Sequence, residues 1–168
     1  MPVMSLSKKI TLCALMASIA IVFGYIEMLF PLPVAIPGIK LGLGNIAILV
    51  CLYLLGYKTA FFVMLIKVFV TTLLFSSPSM LIYSLFGGVL SFLIMAVLKK
   101  LSFNIITISI GGGVFHNIGQ LTAAIFVMRG INVIYYSALL IPSGAAIGAV
   151  TGIVAKIIIK RINVIIKK

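Results

Sequence analysis

A chain of 168 residues that is 64% hydrophobic, only 8% charged and has a mean hydropathy of +1.40 does not read as a water-soluble domain but as an integral membrane protein. A spanning helix takes about 20 apolar residues, so this length holds about six spans and leaves no room for a soluble catalytic domain. The net charge of +12, with Glu27 the one acidic residue, would suggest nucleic acid in a soluble protein; here the cations sit at the ends of apolar segments, where the positive-inside rule accounts for them, and no nucleic-acid partner is expected.

In chain order, the first predicted span covers about 10–30, behind Lys8 and Lys9. Its apolar stretch is longer than a signal-peptide core and lacks a small-residue cleavage site, so it is expected to be retained. Ala14 and Ser18 are four apart on it, as are Ala20 and Gly24, a spacing that lets helices approach closely. The Ala14 and Ser18 face is the candidate for contact with another protein. Pro31, Pro33, Pro37 and Gly38 then break the helix. Pro37, Gly38, Lys40, Gly42 and Gly44 make a glycine-rich loop, either an ordinary tight connection or a lid on the outer face. It is not a phosphate-binding loop, because the strand and the GK[ST] ending are missing.

The second span, about 41–56, is short and carries Asn45 at its start; Lys58 follows. The third, about 59–75, carries Lys67 at its middle, too far from either end to snorkel. An intramembrane lysine costs about 3 kcal/mol on insertion scales, so it needs a partner. It pairs with Glu27, near the outer end of span one, or it faces a wet cavity and meets an anionic or polar ligand. The fourth span, about 79–98, ends at Lys99 and Lys100.

The fifth span, about 103–128, holds the densest information: Gly111-Gly112-Gly113-Val114-Phe115-His116-Asn117-Ile118-Gly119-Gln120. His116 is the only histidine; it shares a helix face with Gln120, and Asn117 adjoins both. A lone histidine can bridge helices as a core residue, but three polar side chains in one turn point to a binding face. The sixth span, about 137–159, repeats glycine at Gly144, Gly148 and Gly152, which predicts close packing within the bundle. The tail after Lys160 and Arg161 is short and basic and is expected on the anionic inner leaflet.

Six spans place both termini on one side. Ten cations (Lys8, Lys9, Lys58, Lys99, Lys100, Lys156, Lys160, Arg161, Lys167, Lys168) then share that side, against Lys40 and Arg129 opposite, which predicts cytoplasmic termini. The expected fold is an all-α integral membrane protein, a six-transmembrane-helix bundle forming one domain over 1–168. One histidine, one glutamate and the separated Cys13 and Cys51 do not make a metal-ligand set, and no cofactor is expected.

Ile36-Pro37-Gly38-Ile39-Lys40-Leu41-Gly42-Leu43-Gly44-Asn45, the Leu55-Gly56-Tyr57-Lys58 turn and His116-Asn117-Ile118-Gly119-Gln120 together resemble a family of six-span bacterial proteins labelled Gx transporters or heptaprenyl diphosphate synthase component I. That family is in turn similar to the substrate-binding S components of energy-coupling factor (ECF) transporters. The resemblance implies a plasma-membrane subunit that binds a vitamin-like solute near the outer face under a first-loop lid. It also implies a coupling transmembrane protein driven by two ATPase subunits, docked on a small-residue face of helix one that Ala14 and Ser18 would supply. The implied solute site is Lys67, His116, Asn117, Gln120, Asn45 and Glu27. The synthase label does not imply catalysis here: prenyl elongation needs aspartate-rich clusters for magnesium and diphosphate, and Glu27 is the whole acidic inventory. No catalytic residue is expected; a non-catalytic accessory role in prenyl-quinone synthesis is the alternative.

Overall fold

The computed structural model describes residues 5–29, 42–75, 77, 80–128 and 135–166. Pro37, Gly38, Lys40, Arg129, Lys167 and Lys168 lie outside these residues, as does the segment 131–134. Among the described residues the chain is helical throughout: α1 Leu6–Leu29, α2 Asn45–Leu54, α3 Tyr57–Phe75, α4 Met80–Lys100, α5 Ile105–Met128 and α6 Ser137–Ile166. In hydrocarbon every backbone group has to be satisfied internally, and the helix is the element that does so within one segment.

The helix limits follow local chemistry. Ser5 opens α1, with its Oγ accepting the N–H of Lys8 at 3.4 Å. Gly56, at φ 91°, ends α2, and the N–H groups of Leu55 and Gly56 both return to the Cys51 carbonyl. α4 closes with Ser102 in the left-handed region at φ 62°, its N–H on the Lys99 carbonyl and that of Phe103 on the Leu98 carbonyl. Asn104 then caps α5, its Oδ1 accepting from Thr107 N–H at 2.8 Å.

Five helices are long and apolar enough to cross a bilayer; α2, with 10 residues, is not. This refines the expected second span of 41–56. At 1.5 Å per residue α2 is about 15 Å long, half of a hydrocarbon core of about 30 Å. α6 runs beyond the expected end at 159 to Ile166, because Lys160 and Arg161 are good helix formers and the helix simply leaves the apolar region.

Glycines set the packing. A β-carbon at Gly113 would overlap the Gly144 carbonyl; one at Gly148 would stand 2.7 Å from Ile110 Cα, and one at Gly152 2.9 Å from Ile106 Cα. α5 and α6 therefore run antiparallel with their backbones in contact, as the four-residue spacing on α6 predicts. Gly119 meets the Phe86 carbonyl in the same way, at 2.6 Å from its β-position, and brings α4 onto α5. α1 runs parallel to α3: Gly24 meets Thr71, and the Tyr25 and Phe75 rings are 4.8 Å apart.

α2 is the core of the bundle. Residues 45–52 are all buried, and Ile48, Leu49 and Leu52 are among the largest side chains fully removed from the surface. A helix apolar on every side belongs inside. Its C-terminal end is fixed by Lys99, whose Nζ donates to the Leu52 carbonyl at 2.5 Å and lies 4.8 Å from the ring centroids of Tyr53 and Tyr57. The outer faces of the long helices are apolar, with Phe62, Leu73, Leu93, Phe126 and Val150 exposed as a lipid-facing surface requires.

Replacing Gly113 by valine should force α5 from α6 and cost about 3 kcal/mol or more. Melting temperature or monodispersity in mild detergent reads this, with Ala146→Val on the exposed face of α6 as the neutral comparison.

Candidate functional site

Because α2 is short, its N-terminal end lies at mid-height in the bundle. Its C-terminal end adjoins the start of α3 and the end of α4, through Gly56 and Lys99. α1 packs on α2 and α3, and α6 on α2 and α5; among the described residues α1 and α6 make no contact. α2 therefore separates them in one half of the bundle only. Residues 30–41 connect the far end of α1 to the mid-height start of α2.

Polar side chains gather at that mid-height level. Lys67 is the eleventh residue of α3, about 15 Å along from Tyr57 and about 12 Å from Phe75. It is 6% exposed, and its Nζ lies 4.0 Å from Oε2 of Glu27, itself 3% exposed. Glu27, Gly24 and Ala20 lie on one face of α1 at helical spacing, and the small residues below Glu27 leave room for the lysine: a β-carbon at Gly24 would stand 3.5 Å from Lys67 Cε. The lysine also lies against the turn before α2, where a β-carbon at Gly44 would be 2.6 Å from Cε and 2.7 Å from Nζ.

The same turn touches α5. A β-carbon at Gly42, which has φ 85°, would stand 3.3 Å from Cδ2 of His116. On its other side the imidazole meets α4: from the β-position of Gly87, His116 Cε1 is 3.1 Å away and Gln120 Cγ 2.8 Å away. His116 and Gln120 thus share the face of α5 that the sequence spacing assigns them. Asn45, the first residue of α2, donates from Nδ2 to Ser91 Oγ on α4 at 3.2 Å.

Asn117 is oriented otherwise. Its Nδ2 donates to the Leu140 carbonyl on α6 at 2.6 Å, and the Gly144 β-position is 2.8 Å from the same nitrogen. Pro142 has no N–H for the Ala138 carbonyl, and in this interrupted first part of α6 the Leu140 carbonyl accepts both Asn117 and Ser143 Oγ. The structure therefore brings Lys67, Glu27, Asn45, His116, Gln120, Gly42 and Gly44 around one turn, and gives the Asn117 amide to the α5–α6 contact. Ala14 and Ser18 lie elsewhere, exposed on α1, with the Ser18 hydroxyl donating to the Ala14 carbonyl at 3.0 Å.

The sequence pattern had not pointed to the part played by α4 and the outer part of α3. Ser84, Gly87, Gly88 and Ser91 are all buried and recur at helical spacing, a small and polar stripe that could have marked an inward face. Thr71 and Thr72, one turn beyond Lys67, are 2% exposed. Asn45 Oδ1, Thr72 Oγ1, Ser84 Oγ and Asn117 Oδ1 are buried without a hydrogen-bond partner among the described residues. Buried acceptors and hydroxyls of this kind call for water or a ligand. The ensemble offers one ammonium, one carboxylate, one imidazole and several amide and hydroxyl groups. Such groups can ion-pair and hydrogen-bond with a polar molecule.

A family model described as heptaprenyl diphosphate synthase component I matches residues 16–158, which include all of these positions. No curated protein and no solved structure matches the chain.

Gly44 has φ −60° and ψ −12°, which alanine adopts without strain, so Gly44→Ala acts chiefly through Lys67, with the Ala20 carbonyl a further 3.1 Å neighbour of the added β-carbon. It should destabilise the protein by about 1–3 kcal/mol. In a Lys67→Ala background the same change should cost markedly less, leaving only the Ala20 carbonyl contact; a double-mutant cycle of detergent unfolding checks the coupling.

Proposed function

The chain belongs to the heptaprenyl diphosphate synthase component I family, the Gx transporter-like family, and from that premise we propose that it is the solute-binding membrane subunit of an ECF-type importer. The observation that carries the reading is the mid-height cluster of Lys67, Glu27, Asn45, His116 and Gln120 at the head of a helix that crosses only half the bundle. A structural bundle has no reason to bear the cost of these groups in hydrocarbon, whereas a solute site needs them. On this reading the solute lies among them and among Thr72 and Ser84, and the connection that includes Pro37, Gly38, Lys40, Gly42 and Gly44 covers it from outside.

Two further observations support it. The cationic ends Lys8, Lys9, Lys58, Lys99, Lys100, Lys156, Lys160 and Arg161 favour a cytoplasmic position for both termini and an outward-facing site. The small, exposed Ala14 and Ser18 suit close docking of a coupling transmembrane protein. The chain has no nucleotide-binding motif, so two ATPase partners would hydrolyse the ATP. The family description favours a second reading, a non-catalytic accessory of prenyl diphosphate synthesis. An apolar groove of about 360 Å³ between α4 and α5, lined by Leu85, Phe86, Val89 and Leu90, suits an isoprenoid chain in that reading.

Gentle-detergent purification of the tagged protein from its own membranes, followed by mass spectrometry, distinguishes the two. The importer reading expects a coupling membrane protein with two ATPases; recovery of a soluble prenyl synthase instead overturns it. Ala14→Leu/Ser18→Leu should leave the protein folded and remove the coupling protein. Lys67→Met should leave the assembly and remove any co-purifying solute.

A further inference from the structure

The pair formed by Lys67 and Glu27 has an unusual setting, and its interpretation rests on the solute-binding function. The two side chains are 7% and 0% exposed, yet Nζ and Oε2 are 4.0 Å apart. A charge-assisted hydrogen bond between such groups closes to about 2.7–2.9 Å, so at 4.0 Å the pair is in coulombic contact. The ammonium also abuts the turn that opens α2, at the Gly44 position. A helix start carries partial positive charge, and the first turn of α2 has no acidic residue. One carboxylate, from another helix, faces the ammonium that abuts this helix end.

Polar groups of another kind border the same place. Asn45 Oδ1, at the head of α2, has no hydrogen-bond partner among the described residues, and Asn45 is 6% exposed. The same holds for Thr72 Oγ1 and Ser84 Oγ, which lie one turn further along the α3–α4 contact made by Val68 and Gly88. These are acceptors and hydroxyls, and they suit a molecule with hydrogen-bond donors. Glu27 itself is near the end of α1, which among the described residues packs on α2 and α3.

We infer that the Glu27 carboxylate occupies, on the Lys67 ammonium, the position that the solute's own carboxylate takes. Glu27 is a built-in stand-in for the ligand, and the solute binds by displacing it. The stand-in also defines the ligand class. One ammonium balanced by one side-chain carboxylate accepts a monovalent carboxylate, here one that also carries donors for Asn45, Thr72 and Ser84. Between solutes Glu27 keeps the cation neutralised, so the protein stays folded without admitting anions that cannot compete with the glutamate.

Chemical rescue tests this on the full-length protein in detergent, with acetate as the probe. Glu27→Ala strands a buried ammonium and should melt about 10 °C below the parent. Sodium acetate at about 0.1 M should restore most of that loss by occupying the vacated position. Sodium chloride at equal ionic strength should not, and the parent protein should not respond to acetate. In Glu27→Ala/Lys67→Met, which has no buried cation, acetate should have no effect. Rescue that persists without Lys67, or equal rescue by chloride, overturns the inference. Rescue by phosphate or sulfate in place of acetate overturns the carboxylate class. If Glu27→Ala is not recovered folded, recovery becomes the readout: membranes solubilised with acetate should yield monodisperse protein and those without it should not, and equal failure in both overturns the proposal. Rescue requires neither a coupling protein nor an ATPase, so its failure and that of the importer reading are told apart by the co-purification.

Discussion

An ammonium held at the middle of an apolar bundle is the constraint around which this protein is arranged. Lys67 is about 15 Å from one end of its helix and about 12 Å from the other, beyond the reach of a snorkelling side chain. It needs an anion and space to meet it. α1 supplies the anion through Glu27 and the space through Gly24. The turn before α2 supplies more space through Gly44, where a β-carbon would occupy the position of the ammonium. Burying such a pair is at best a narrow energetic gain over an apolar replacement, so its presence is better explained by function than by stability.

The remaining helices form a rigid frame for this site. α4, α5 and α6 are joined by backbone contact at Gly113, Gly144, Gly148, Gly152 and Gly119. Between helices in lipid there is no hydrophobic drive to associate, and close van der Waals approach with occasional polar bridges takes its place. The bridges are Ser109 to Thr151 at 2.9 Å and Asn117 to the Leu140 carbonyl at 2.6 Å. α1 is different. Among the described residues it touches only α2 and α3 and has no contact with α6. Lys67 thus lies between the joined helices α4 to α6 on one side and α1 on the other.

The same division separates chemistry from binding. The family is described as a component of a prenyl synthase, yet the chain has one carboxylate and that carboxylate faces a lysine. Holding magnesium and a diphosphate requires several carboxylates converging on a metal, which one glutamate cannot provide.

The helical type and, among the described residues, the number of helices, the apolar exterior and the polar residues that are costly in hydrocarbon were legible in the sequence. Hydrocarbon tolerates only apolar helices, so Lys67, Glu27, His116 and Gln120 stand out as exceptions wherever they fall. Spacing on a single helix also predicted that His116 and Gln120 share a face and that Gly144, Gly148 and Gly152 form a contact line. What spacing does not reveal is how each helix is rotated against its neighbours. That rotation turns Asn117, adjacent to His116 in sequence, toward α6, and it brings Ser84, Gly87 and Ser91 inward. Nor did the apolar run at 41–56 show that only Asn45–Leu54 would be helical, because flanking glycines and hydrophobicity are compatible with a full span. Composition and periodicity determined a membrane helical protein with a few costly polar groups. Which of those groups meet, and at what depth, was decided by the contacts between helices, where the absence of a β-carbon sets how closely two backbones approach.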